Sequence, residues 1–173
     1  PLHVTGGGDD VIRSGSGSDL VVAGHGSDWV DAGNGENIVA GDHARVVFSQ
    51  PAGILVLVES VAPAEGAADL IFNGSANDLV IGGVGGDTIH SGAGNDLVFG
   101  DHATIAGSIN LGLLPLASVV KPFAWTATHT QNLDGDGRVL GGDDVVFAGA
   151  GDDSVFGQQG DDIAGTCVGN VLT

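Results

Sequence analysis

The sequence predicts an all-β chain wound as a parallel β-solenoid, and three coincident periodicities predict it. Asp recurs every nine residues at Asp10, Asp19 and Asp28, at Asp69, Asp78, Asp87 and Asp96, and at Asp144, Asp153 and Asp162, with Asn37 in phase after the first group. With this residue as position 6, Gly holds position 4 at Gly8, Gly17, Gly26, Gly35, Gly85, Gly94, Gly142, Gly151 and Gly160. It holds position 2 at Gly6, Gly15, Gly24, Gly33, Gly74, Gly83, Gly92 and Gly149. Position 8 is Ile or Val from Ile12 to Val155, and Ala164 in the last unit. A nonapeptide that keeps three phases at once over eleven units marks a repeat architecture.

Each unit reads as a six-residue turn followed by a three-residue strand. Glycine lets the turn enter φ > 0 and brings backbone carbonyls close to an ion, while Asp supplies a carboxylate. The β-branched residue at position 8 suits a short strand facing inward. Two units make one coil of about 18 residues, and stacked coils give two parallel sheets with strands ~4.8 Å apart. The turns that stack are then two units apart, which pairs Asp10 with Asp28, Asp19 with Asn37, Asp69 with Asp87, Asp78 with Asp96, and Asp144 with Asp162.

Charge narrows the partners. The 173 residues carry 22 acidic and 4 basic side chains, a net charge of −18, which argues against nucleic acid or an anionic membrane. Nearly all the acids are Asp, a short carboxylate suited to turns and to hard cations, so calcium is the first partner to consider. A mean hydropathy of +0.27 excludes an acidic disordered tail. The lone Cys167 excludes an intramolecular disulfide and a Cys-based zinc site, and reads as a small buried hydrophobe. No apolar run reaches the ~18 residues of a membrane span. The opening Pro1-Leu2-His3 has no signal region and reads as the start of an excised or processed piece.

Gly92-Ala93-Gly94-Asn95-Asp96-Leu97-Val98-Phe99 and Gly149-Ala150-Gly151-Asp152-Asp153-Ser154-Val155-Phe156 show the repeat most plainly. They resemble the RTX (repeats-in-toxin, haemolysin-type) calcium-binding family, specifically its long, multiply repeated surface proteins. The resemblance implies a right-handed parallel β-roll. Its calcium shells would be shared between adjacent turns and built from the position-6 side chains and the carbonyls of the glycines at positions 2 and 4. It also implies type I secretion and a secreted or cell-surface location. Departures from the repeat are expected to weaken individual sites: Asn37 for the acid, Glu65 and Ala67 for both glycines before Asp69, and Leu140 and Gln158 at position 2. The phase would place an acid at 171, where Val171 stands, so the last unit reads as degenerate or cut.

The units fall into blocks at residues 5–44, 65–103 and 140–173, with inserts at 45–64 and 104–139. Arg45-Val46-Val47-Phe48 and Ile54-Leu55-Val56-Leu57-Val58 read as a β-hairpin, and Ile105, Leu111 to Val120 and Phe123 to Thr128 as further strands. Within residues 132–143, Asn132, Asp134, Asp136 and Asp143 occupy positions 1, 3, 5 and 12 of a loop that resembles an EF-hand, or else form a plain Asp-Gly turn. Separate rolls would hold about five ions and one continuous solenoid about nine. Outward positions 7 and 9 carry Trp29, Phe72, Leu79, Ile81, Leu97, Phe99, Phe147 and Phe156, which call for cover by the inserts, by another subunit or by neighbouring repeats.

No G-x-S-x-G, H-E-x-x-H or phosphate-binding loop occurs, and the repeated Asp42-His43 and Asp101-His102 read as turns or roll-end ligands. The expected function is non-catalytic: a calcium-folded structural or adhesive segment. The alternative is the C-terminal secretion and folding module of a secreted protease, lipase or toxin.

Overall fold

A strand of three to five residues begins wherever position 7 of a nonapeptide falls. The structure, a computed structural model, describes residues 7–50, 54–62, 64–107, 125–129, 141–165, 167–168 and 171–172. The first block gives β1 (Val11–Arg13), β2 (Leu20–Val22), β3 (Trp29–Gly33) and β4 (Ile38–Ala40). The first insert gives β5 (Ala44–Phe48) and β6 (Leu55–Ser60). The second block gives β7 (Leu70–Asn73), β8 (Leu79–Ile81), β9 (Thr88–His90) and β10 (Leu97–Phe99). Then follow β11 (Ala103–Gly107) and β12 (Trp125–His129), β13 (Val145–Phe147), β14 (Ser154–Phe156) and β15 (Ile163–Gly165), and a terminal pair, β16 (Cys167–Val168) and β17 (Val171–Leu172). No helix occurs among the described residues, and so none long and apolar enough to cross a membrane.

The three blocks run as one continuous parallel β-roll. One sheet has the order β1-β3-β7-β9-β13-β15 and the other β14-β10-β8-β4-β2. The inserts do not break the stack: β3 pairs with β7 through Val30↔Ile71, and β10 with β14 through Val98↔Val155. Position 8 from both sheets fills the narrow interior, with Val30, Ile71, Ile89 and Val146 facing Val21, Val39, Val80 and Val98. A two-sheet roll this thin has room for one layer of β-branched side chains from each side, which is why position 8 varies so little.

The two inserts meet in one antiparallel sheet of order β12-β11-β6-β5. Ile105 of β11 lies opposite Val58 of β6, and Val46 of β5 opposite Val58 on its other side. This sheet lies on the outer face of β4, β8 and β10, where Leu55, Val58, Ala103 and Ile105 join Ile38, Leu79, Ile81, Leu97 and Phe99 in a second core. Intrachain cover therefore explains the outward Leu79, Ile81, Leu97 and Phe99, whereas Leu20 and Val22 of β2 and Phe156 of β14, which stacks on Phe99, stay exposed at the two ends of that sheet. Its edge pair Arg45–Glu59 (2.6 Å) is exposed and adds little.

The opposite sheet keeps a half-exposed aromatic file on its outer face. Trp29, Phe72, His90 and Phe147 follow one another with ring centroids 5.8, 4.7 and 4.4 Å apart, and Arg13 lies 4.4 Å over Trp29. Leu111 to Val120 and Phe123 lie outside the described residues.

The insert sheet is predicted to be held by apolar packing. Ile105, 1% exposed, should cost about 2–5 kcal/mol when truncated to Ala. Denaturant unfolding in saturating calcium checks this, and a loss below about 1 kcal/mol would contradict the packing described.

Candidate metal centre

Each coil turns twice, and the turns stack into two files along the edges of the roll. In the first file the position-6 residues follow as Asp10, Asp28, Asp69, Asp87, Asp144 and Asp162. In each, the backbone N–H donates to the Oδ1 of the next, at 2.8, 2.8, 2.8, 2.7 and 3.0 Å. In the second file Asp19, Asn37, Asp78, Asp96 and Asp153 repeat the arrangement at 3.1, 2.7, 2.9 and 3.0 Å. Every pair expected from the sequence is adjacent, and four more pairs form across the block boundaries: Asp28–Asp69, Asn37–Asp78, Asp87–Asp144 and Asp96–Asp153.

One oxygen of each carboxylate after the first in its file is thus spent on a backbone amide, a charge-assisted bond that locks the register. The other has no such use. The Oδ2 atoms of Asp19, Asp28, Asp69, Asp78, Asp87, Asp96, Asp144 and Asp153 are buried without a hydrogen-bond partner. The side chains of Asp28, Asp69, Asp78, Asp87, Asp96 and Asp144 are at most 4% exposed. Burying an unpaired anionic oxygen is costly, and a file of them adds mutual repulsion. The two basic side chains described are engaged elsewhere, Arg13 over Trp29 and Arg45 with Glu59.

Burial raises the carboxyl pKa values, with the backbone amides offsetting part of the effect. Asp87 is pushed up to about 10, Asp78 to about 8, Asp69 and Asp144 to about 7, and Asp96 to about 6. Asp28 and Asp153 are raised as well, for the same reason.

Glycine at positions 2 and 4 is required by the stack itself. A Cβ on Gly33 would stand 1.7 Å from the Gly15 carbonyl oxygen, and one on Gly151 1.4 Å from that of Gly94; both residues have positive φ. Gly17, Gly24, Gly26, Gly83, Gly85, Gly92, Gly149 and Gly160 also adopt positive φ, whereas Gly8 is open on its outer side. The non-glycines Ala76 (φ 89°) and Gln158 (φ 85°) accept the same strained geometry at positions 4 and 2.

The structure corrects the phase count at two coils. By sequence spacing Glu65 and Leu140 occupy position 2 before Asp69 and Asp144; in the structure Asp42 and Asp101 take those places. The Asp42 N–H donates to the Gly82 carbonyl (3.3 Å), that of Gly83 to the Gly100 carbonyl, and that of Gly100 to the Phe156 carbonyl. The position-2 row therefore runs Gly24, Asp42, Gly83, Asp101, Gln158. The chain leaves the coil after position 2, at Asp42 and at Asp101, and re-enters at Gly66 and Gly141. Asp101 staples the gap by accepting from Gly142 (3.0 Å) and Gln159 (2.6 Å), with its own N–H donating to Gln158 Oε1. Sequence reasoning assigned Asp42 and Asp101 to turns or to ligands at the roll's end; only the repeated Gly-Asp-His-Ala signalled a role shared by both.

A second ladder at position 5 was also missed. Asp9 accepts from the Ser27 N–H, Asn77 from Asn95, Asn95 from Asp152, and Asp143 from Asp161. Asp143 thus serves the roll, while Asn132, Asp134 and Asp136 of the EF-hand-like loop, and Gly6, lie outside the described residues.

No three His, Cys, Asp or Glu side chains converge on one point among the described residues. The donor set is instead one carboxylate oxygen per turn among backbone carbonyls, which are hard oxygen ligands. Such a set fits calcium, with six to eight oxygens at flexible geometry, better than zinc or magnesium.

Comparison with known proteins agrees. The family described as RTX calcium-binding nonapeptide repeat (4 copies) matches residues 4–39, 72–101 and 139–164. No curated protein and no solved structure matches.

The raised pKa values set the pH dependence. Because the folded carboxyls bind protons above the ordinary 3.8, the calcium-free roll is most stable below about pH 4 and loses stability as pH rises through about 6 to 10. Without calcium, far-ultraviolet circular dichroism should show more β-structure at pH 4 than at pH 8. β-structure that increases with pH in the absence of calcium would contradict the carboxylate burial.

Proposed function

The chain belongs to the RTX calcium-binding nonapeptide repeat family, and we propose that it is a non-catalytic, calcium-folded segment of a secreted or cell-surface bacterial protein, serving as a structural or adhesive scaffold. The observation that carries this reading is the pair of Asp files whose Oδ2 atoms are buried and unpartnered. Calcium supplies positive charge and oxygen coordination in those files. The chain contributes Asp10, Asp28, Asp69, Asp87, Asp144 and Asp162 on one edge, Asp19, Asn37, Asp78, Asp96 and Asp153 on the other, and glycine carbonyls at positions 2 and 4. Six positions leave five gaps and five leave four, so a continuous roll offers about nine sites.

Folding is the function in this reading. With little calcium the carboxylates repel and the chain stays extended, which suits export; at the ~10⁻⁴–10⁻³ M typical of extracellular modules, binding free energy becomes folding free energy. A scaffold is favoured over the secretion module of a protease, lipase or toxin by the insert sheet, which packs on strands of the first two blocks through the core around Phe99 and Ile105. The aromatic file from Trp29 to Phe147 offers a face for self-association or for neighbouring repeats.

Calcium titration of the chelator-stripped chain at pH 7.5, followed by far-ultraviolet circular dichroism, tests the reading. The expected result is a disordered chain that converts cooperatively to β-structure on binding about nine ions. A chain fully folded in chelator that binds none would overturn it.

A further inference from the structure

Asp42 lies outside the segments that match the repeat family, and nothing in the nonapeptide requires an acid at its place. It stands where the coils on either side carry Gly24 and Gly83. It is 4% exposed, with Oδ2 accepting from the Val84 N–H, the Ala67 amide also acting on the carboxylate, and Oδ1 buried without a full hydrogen bond. The cradle around it is lined by small residues. A Cβ on Gly66 would stand 2.1 Å from Oδ1, and one on Gly83 2.3 Å from Oδ2. In the same coil, Asp69 turns its own unpartnered Oδ2 toward Gly41, the residue before Asp42: a Cβ there would stand 2.1 Å from that oxygen. Two nearly fully buried carboxylates from one turn therefore hold free oxygens in the same stretch of the first file.

We propose that Asp42 is a calcium ligand supplied by the exit of the insert, giving the coil of Asp69 a second carboxylate in addition to the backbone carbonyl that every coil offers at position 2. The inference rests on the calcium-binding reading above and extends it to a residue outside the repeat. A second carboxylate adds charge to the site, and affinity in oxygen-ligand sites rises with ligand charge. The site is thus the tightest of its file, set at the point where the hairpin β5–β6 leaves the roll. Asp101, the equivalent residue of the second exit, differs because both its oxygens already accept amide hydrogens. This assignment reverses the expectation that the coil of Asp69, lacking both of its repeat glycines, binds weakly.

The test is equilibrium dialysis with radioactive calcium on the whole chain, comparing wild type with Asp42→Asn, which keeps the shape and an acceptor for Val84 but removes the charge. The expected result is one ion of the wild-type set weakened tenfold or more, with the remaining ions unchanged. Superimposable curves would overturn the proposal while leaving the calcium-folded roll intact; a wild type that binds no calcium would instead overturn the roll reading itself. Asp42→Glu guards against a folding defect, since it retains the charge on a longer reach and should fold in calcium. Should both variants fail to fold at saturating calcium, the carboxylate serves the fold and not the ion, and the proposal falls.

Discussion

Two files of buried carboxylates govern this molecule. In each, one oxygen caps the backbone amide of the preceding coil and the other is left inside the protein without a hydrogen-bond donor. The first half of that arrangement holds the coils in register, and the second makes the coils unstable unless positive charge enters. A solenoid built this way has a fold and a trigger in the same atoms. Replacing the Asp by an apolar residue would remove the penalty, but also the cap and any response to a cation.

The remaining features accommodate that constraint. Glycines at positions 2 and 4 bring successive turns into contact at distances that no Cβ tolerates, which keeps the carboxylates in line. Valine and isoleucine at position 8 supply the interior, and the insert sheet seals one outer face over Leu79, Ile81, Leu97 and Phe99. Both inserts leave the roll at the same place in the turn and on the same edge, two coils apart. They can therefore meet as one sheet without disturbing the stack between them.

Most of the roll was legible in the sequence because a nine-residue period repeats the same physical problem eleven times. The Asp pairs, the inward position 8 and the turn glycines followed from phase alone. What phase could not show was how the chain resumes after an insert. Glu65 and Leu140 stand at the counted distance from Asp69 and Asp144, yet the coil is closed by Asp42 and Asp101, which are distant in sequence and near in space. The pairing of β6 with β11 was hidden for a similar reason, since no turn joins them and nothing local specifies that Val58 lies opposite Ile105. The position-5 ladder of Asn77, Asn95 and Asp152 was visible only as a polar preference that any turn would share.

The account is tested most directly by diffraction from crystals of the calcium-loaded chain, with anomalous data collected where calcium scatters strongly. It predicts two lines of anomalous peaks, one along each edge of the roll, spaced by ~4.8 Å and lying beside the Oδ2 atoms that face no donor. Ordered Asp files without cations, their Oδ2 atoms hydrogen-bonded to water or to protein donors, would contradict it.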